Sequence, residues 1–419
     1  MKLKTSFALI AASFLLCAAS VSFAQSGATR PRRVAPAQPQ PSPTAAPRAG
    51  QSSATPTTTA PGTARTTPPS NSTSSTGTPA ASSAPPGTTL HAKALYDQKQ
   101  YDAALREAKE IAAGDAKNSD AWMIAGRAEL ALKQYAEAAE DLQRAVELQR
   151  AAGKEDAYTQ DALIEAYVRT EKFDRALPLL VAATARKGAT PDATLLSYRG
   201  LAEFNTNKPA DAERSFKAAI VADPKHTVSH YYLGIIAFNR NDDTAAINSF
   251  NRATTADPRL AQAWKYLTYA YMRRAAAAAG AKADADSLSA VRASESFLKL
   301  RNDDEAISLH GQALIRARQY ARAAATLERV AGDNADGTTL YLLGFAHSRA
   351  KNFPKAIATL ERAAAKSPEN VEIFRELGYD YESSKQYAKA LAAYEKGLQL
   401  AATDAELKES AERVRPFAK

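Results

Sequence analysis

Residues 193–226 read ATLLSYRGLAEFNTNKPADAERSFKAAIVADPKH, and residues 227–260 read TVSHYYLGIIAFNRNDDTAAINSFNRATTADPRL. Aligned, they share one 34-residue frame: Gly200 falls on Gly234, Phe204-Asn205 on Phe238-Asn239, Ala212 on Ala246, Phe216 on Phe250 and Ala219 on Ala253. Each copy carries Ala-Asp-Pro just before its end. A fixed period of this size is the signature of a repeat array. Leu196, Gly200, Leu201 and Phe204 recur at steps of three and four, as do Ala212, Phe216, Ala219 and Ile220. That is helical spacing, not strand spacing. Asn205-Thr206-Asn207 with Pro209, and Asp242-Asp243 in the second copy, supply turn chemistry between the two helices. Asp-Pro then ends the second helix, because the residue before proline avoids the α region. Gly200 and Ala212 are small where helices approach closely, and Phe216 fills the gap beside them. One such hairpin leaves an apolar face uncovered, so a neighbouring copy must cover it.

The frame extends in both directions. Upstream, 157–190 carries Leu163, Tyr167, Phe173, Ala176, Leu180 and Ala183, with Pro178 expected near the start of the second helix, where a missing N–H is tolerated. The unit at 119–152 carries Trp122, Gly126, Leu130, Tyr135, Ala138, Leu142 and Ala145. The unit at 85–118 keeps Ala92, Leu95, Tyr101 and Ala104 but has no closing proline, as befits a terminal repeat. Downstream, the unit from 261 begins with Trp264, Leu267 and Tyr271 and is then interrupted by RRAAAAAGAKADAD at 273–286. The alanine run favours helix, so the first helix is expected to run on until Gly280, with the second resuming near Ser287 and packing through Ala293, Phe297 and Leu300. This insertion, near 273–287, is either a surface extension or a hairpin flanking a groove. Units at 304–336, 337–370 and 371–404 follow, and 405–419 reads as a capping helix with Leu407, Ala411 and Val414 on one face.

This pattern resembles the tetratricopeptide repeat, with its apolar residue at the fourth place, Leu-Gly at seven and eight, Ala at twenty, an aromatic at twenty-four, Ala at twenty-seven and Pro at thirty-two. The resemblance covers 88–419 and implies an all-α, right-handed α-solenoid of about nine helical hairpins. It also implies that the first helix of each unit lines a concave face through places two, five, nine and twelve. Carried onto repeats four to six, that rule names Phe204, Tyr231, Ile235, Phe238, Lys265, Tyr269 and Met272, with Tyr232 and Tyr266 at the edge and Arg273 nearby. Repeats eight and nine add Tyr341, Phe345, Arg375 and Tyr379. Aromatics on a groove favour binding, since they offer large contact area at low entropic cost. The family's carboxylate-gripping Lys and Asn set is missing from the corresponding places. The expected function is a scaffold that takes a protein or peptide segment in this groove. Envelope polysaccharide stacking on the same tyrosines is an alternative, and a self-associating structural spacer is another.

The start of the chain has a different character. Lys2 and Lys4, an apolar run from Phe7 to Cys17 and Ser22-Phe23-Ala24 read as a secretory signal peptide over 1–24. Leu16 is too large for a lipoprotein signal ending at Cys17. Removing the signal removes the chain's one cysteine, and with it disulfide and thiolate chemistry. Residues 25–87 hold 13 of the chain's 21 prolines among Ala, Ser, Thr, Gln and Gly, and are expected to form a disordered linker. Together these features predict a periplasmic protein with no transmembrane segment once the signal is removed. The net charge is +9, yet the first 88 residues contribute seven Lys or Arg and no acid, leaving 54 − 7 = 47 basic against 45 acidic residues in the remainder. Such a balance offers no basic face for nucleic acid. Five scattered histidines, and acids placed at turns, suggest neither a catalytic set nor a metal site. His226 and His230 are four apart, but one falls in a turn and the other at a packing place. No cofactor motif is present.

Overall fold

A computed structural model of the chain describes residues 84–186 and 192–419; the signal-peptide reading, and the linker up to residue 83, lie outside them. The described residues form nineteen α-helices and a closing 3-10 turn, with no strand. Successive helices pair as hairpins: α1 (Thr89–Asp97) with α2 (Tyr101–Gly114), α3 (Ser119–Ala131) with α4 (Tyr135–Ala151), and α5 (Ala157–Arg169) with α6 (Phe173–Thr184). The quoted pair gives α7 (Ala193–Asn205) with α8 (Pro209–Ala222) and α9 (Thr227–Asn239) with α10 (Asp243–Ala256). Then come α11 (Ala261–Ala277) with α12 (Gly280–Arg301), α13 (Asp304–Arg316) with α14 (Tyr320–Leu327), α15 (Gly337–Arg349) with α16 (Phe353–Lys366), and α17 (Val371–Ser383) with α18 (Tyr387–Leu400). The last helix, α19 (Ala405–Val414), lies on α18 and buries Leu407, Ala411 and Val414. Each helix packs on the next, and the first helix of each hairpin also touches the first helix of the following one. The described residues thus form an α-solenoid of nine hairpins plus one helix.

The small-against-large contact read from Gly200 and Phe216 recurs along the array. A Cβ added at Gly200 would lie 2.7 Å from the Phe216 ring, at Gly234 2.5 Å from Phe250, and at Gly378 2.3 Å from Tyr394. Leu142, Leu327 and Leu360 play the same part against Gly126, Gly311 and Gly344. The alanine at place twenty is fully buried in eight hairpins, at 104, 138, 176, 212, 246, 323, 356 and 390.

The turns are as regular as the core. Lys99, Lys133, Glu171, Asn207, Asn241, Arg318, Lys351 and Lys385 each take a positive φ, between 56° and 64°, at the bend within a hairpin. The amide of the next residue then reaches back five residues, as in Gln100 N–H to the Leu95 carbonyl (2.9 Å) and Gln386 N–H to that of Tyr381 (2.8 Å). This closes the first helix with a Schellman motif. Between hairpins, Asp223 and Asp257 accept the N–H two residues on, from Lys225 and Arg259. Asn118, Asp156, Asp336 and Asp404 cap the next helices by accepting their first free amides.

Three details depart from expectation. In the sixth hairpin the second helix starts at Gly280 (φ +61°) rather than near Ser287, so the inserted residues lengthen both helices, to 17 and 22 residues. Arg274 clamps this extension through two bonds to Asp286, at 2.8 and 2.6 Å. Leu300 is not a packing residue: it is exposed, while Phe297 is fully buried. Pro178 is the sixth residue of α6, beyond the free N–H groups of the first turn, so it removes a bond to the Asp174 carbonyl.

Candidate functional site

The predicted groove residues of repeats four to six do come together, but chiefly onto each other. Phe204, Phe216, Tyr232, Tyr231, Phe250, Tyr266, Phe238 and Tyr269 form one continuous aromatic ladder with ring centroids 5.2 to 6.3 Å apart. Tyr232 stacks on Phe216 and Tyr266 on Phe250, so the buried aromatic of each second helix covers a tyrosine of the next first helix. Ile235, Phe238 and Met272 are buried. Burial drives the Tyr269 hydroxyl up to about 12 and pushes Tyr231 still higher.

The two cations predicted beside this ladder are already occupied. Lys265 pairs with Glu305. Arg273 donates to Asp243 (2.6 Å), to the Asn241 side chain (2.9 Å) and to the Phe238 carbonyl (2.8 Å), with its guanidinium 3.9 Å over the Phe238 ring. It brackets repeats five and six together. In repeat eight, Tyr341 and Phe345 lie 6.2 Å apart, and Arg349 sits over Phe345 while donating to Glu376 at 2.8 Å. Arg375 is held by Glu372 and by Asp404 at 2.5 Å, tying repeat nine to α19. Tyr379 is exposed.

A concavity opens among the first three hairpins. A cavity of about 400 Å³ is lined entirely from α1, α3 and the start of α5, all first helices. Its walls include Thr89, Lys93 and Tyr96 of unit one, Asp120, Met123 and Arg127 of unit two, and Tyr158 of unit three. Counted in the 34-residue frame, these are places five, nine and twelve, then two, five and nine, then two. The rule that named residues in repeats four to six therefore names this set when carried to the first three units, of which the first and third keep fewer of the pattern residues. Arg127 is clamped flat, with its guanidinium 3.3 Å from the Tyr158 ring and 5.0 Å from that of Tyr96, and it donates to the Tyr96 hydroxyl at 3.3 Å. Leu90 and Tyr158 stand out at the rim, 69% and 56% exposed.

The histidines serve the fold. His226 caps α9 by accepting the Ser229 amide, His230 bonds the Pro224 carbonyl at 2.9 Å, and His310 bonds Ser294 at 2.9 Å. Burial lowers the pKa of His226, His310 and His347. Among the described residues no three His, Cys, Asp or Glu are grouped to hold a metal, and no helix is long and apolar enough to cross a membrane.

Nine hairpins of this geometry, with a face built from first helices, define a helical-repeat binding protein. The tetratricopeptide repeat model matches residues 89–155, 162–226, 198–261 and 341–405, more than half of the chain, and the chain belongs to that family. A model for anaphase-promoting complex, cyclosome, subunit 3 matches residues 288–363. Among solved structures, YrrB, described as a TPR protein with an unusual peptide-binding site, is 21% identical over 42% of this chain and 87% of its own, with a TM-score of 0.37. MamA from Desulfovibrio magneticus RS-1 is 20% identical over 43% and 97%, with a TM-score of 0.38. A tetratricopeptide repeat protein from Parabacteroides merdae is 14% identical over 62% and 98%, with a TM-score of 0.39. At these identities the likeness is one of fold alone. No curated protein matches the chain.

Proposed function

We propose that the protein is a non-catalytic interaction scaffold that takes an extended peptide segment of a protein partner on the face of its first helices, with the entry cavity of hairpins one to three as the principal contact. The observation that carries this reading is that cavity: Leu90, Met123 and Tyr158 are presented beside a fixed arginine and two carboxylates, Asp97 and Asp120, that have no ion pair among the described residues. Large, rigid apolar anchors with polar groups at their edge suit peptide recognition. A peptide is favoured over a stacked sugar because the ring faces are taken: Tyr232 by Phe216, Tyr266 by Phe250 and Tyr158 by Arg127. A screen of immobilised random peptides tests this. Wild type is expected to retain a defined peptide set that Leu90→Asp loses and that Tyr231→Ala/Tyr269→Ala keeps; an unchanged set with Leu90→Asp overturns the reading.

The same proposal places the chain in the periplasm, on the support of the sequence of residues 1–24. Terminal sequencing of protein recovered from cells is expected to begin at Gln25. A start at Met1 would remove that part of the proposal.

A further inference from the structure

Several large apolar side chains stand out to solvent, and three of them lie near the two ends of the array. Leu90 and Tyr158 rim the entry cavity; Phe417 is 63% exposed on the 3-10 turn after α19. The segment that carries it, RPFAK at 415–419, has two cations and no acidic side chain, whereas Arg413 before it is held by Glu382 and Val414 is buried. The cavity carries Asp97, Asp120 and Asp156 against Lys93 and Arg127, an acidic excess of one, and neither Asp97 nor Asp120 has an ion pair among the described residues. One end of the array thus offers an apolar hollow with unpaired carboxylates, and the other offers an exposed aromatic on a proline-fixed turn flanked by Arg415 and Lys419. Helices in this array touch only near neighbours in the chain, so hairpin one and the turn beyond hairpin nine do not meet within one copy.

From this juxtaposition we infer that the occupant of the entry cavity is the 415–419 segment of a second copy of the chain, giving head-to-tail self-association. Phe417 enters between Leu90, Met123 and Tyr158, leaving the Tyr387 ring it meets at 5.3 Å. Arg415 and Lys419 then face Asp97 and Asp120. Arg415 gives up its exposed pair with Glu395, a pair of the kind that contributes little in water. A head-to-tail contact uses a different surface on each partner. Unless the rotation closes a ring, it therefore propagates into an open assembly and does not stop at a dimer. This inference rests on the cavity being a peptide-binding site, and names its partner.

Sedimentation of the full chain over a concentration series tests it. The weight-average mass of wild type is expected to rise with concentration past twice the monomer mass. Leu90→Asp alone and Phe417→Ala alone are expected to stay monomeric; both positions are exposed, so folding is preserved, and unchanged helical circular dichroism checks this. An equal mixture of the two variants restores one intact cavity and one intact tail, and is expected to form a species of twice the monomer mass and nothing larger. A wild type that stays monomeric up to its solubility limit, a Phe417→Ala variant that associates like wild type, or a mixture that stays monomeric would each overturn the inference. If self-association fails while Leu90→Asp still loses the peptide set of the screen above, the binding site stands and only its partner is wrong. Loss of both rejects the site.

Discussion

An alanine at 234 would bring its Cβ within 2.5 Å of the buried Phe250 ring, whereas one at 114, the last residue of α2, would meet nothing within 4 Å. The same substitution therefore has opposite signs at the two places. Phe250 is fully buried and has no room to retreat, so Gly234→Ala is expected to destabilise the array by about 1–3 kcal/mol through overpacking. Gly114→Ala is expected to stabilise it by about 0.4–1 kcal/mol, by restricting the unfolded chain at a helical residue. Denaturant midpoints of the two variants check both. Equal shifts would mean that the glycine at place eight is not a packing requirement. This residue-scale logic also made the fold legible. Gly200 with Phe216 and Gly234 with Phe250 state in the sequence that two helices touch, and their 34-residue recurrence states that they do so repeatedly.

At the scale of elements, the clearest electrostatic feature is the seam between α15 and α17. Glu376 and Asp380, one turn apart on α17, are buried against Ser348 and Arg349. One oxygen of each carboxylate has no hydrogen-bond partner. Burial raises Glu376 to about 7, opposed by Arg349, and raises Asp380 to about 6, opposed by the Ser348 hydroxyl. A carboxyl whose folded pKa lies above its unfolded value binds its proton more tightly when folded, so its contribution is present at low pH and is lost as pH rises through the folded value. Wild type is therefore expected to lose stability relative to Glu376→Gln as pH rises from about 4.5 to above 7. Parallel pH profiles of the two proteins would contradict this.

At the same scale, locally acting signals part from those that depend on packing. Helix boundaries followed from Asp-Pro, Asn and paired Asp signals, because those residues act locally. Groove residues did not, because aromatics at the same helical spacing either face a ligand or pack on the next hairpin. Tyr232 and Tyr266 pack, since Phe216 and Phe250 stand at stacking distance. Arg273 looked available, yet its partners Asp243 and Asn241 lie some thirty residues earlier in the chain. The cavity at Arg127 obeys the same place rule, carried onto units one to three.

The whole molecule divides its labour between its parts. Repeats four to six, with the continuous aromatic ladder, hold the middle of the array together. Hairpins one to three keep the open, partly charged hollow, and α19 covers the last hairpin. Each repeat touches only its neighbours, so a ligand in the first three hairpins stabilises those directly and the later ones only by nearest-neighbour coupling. Amide hydrogen exchange of the full chain, with and without a peptide retained in the screen, reads this division of labour. Peptide is expected to slow exchange in α1, α3 and α5 and to leave α15 to α18 unchanged. Protection centred on the second helices, or on the tyrosines of α9 and α11, would contradict it.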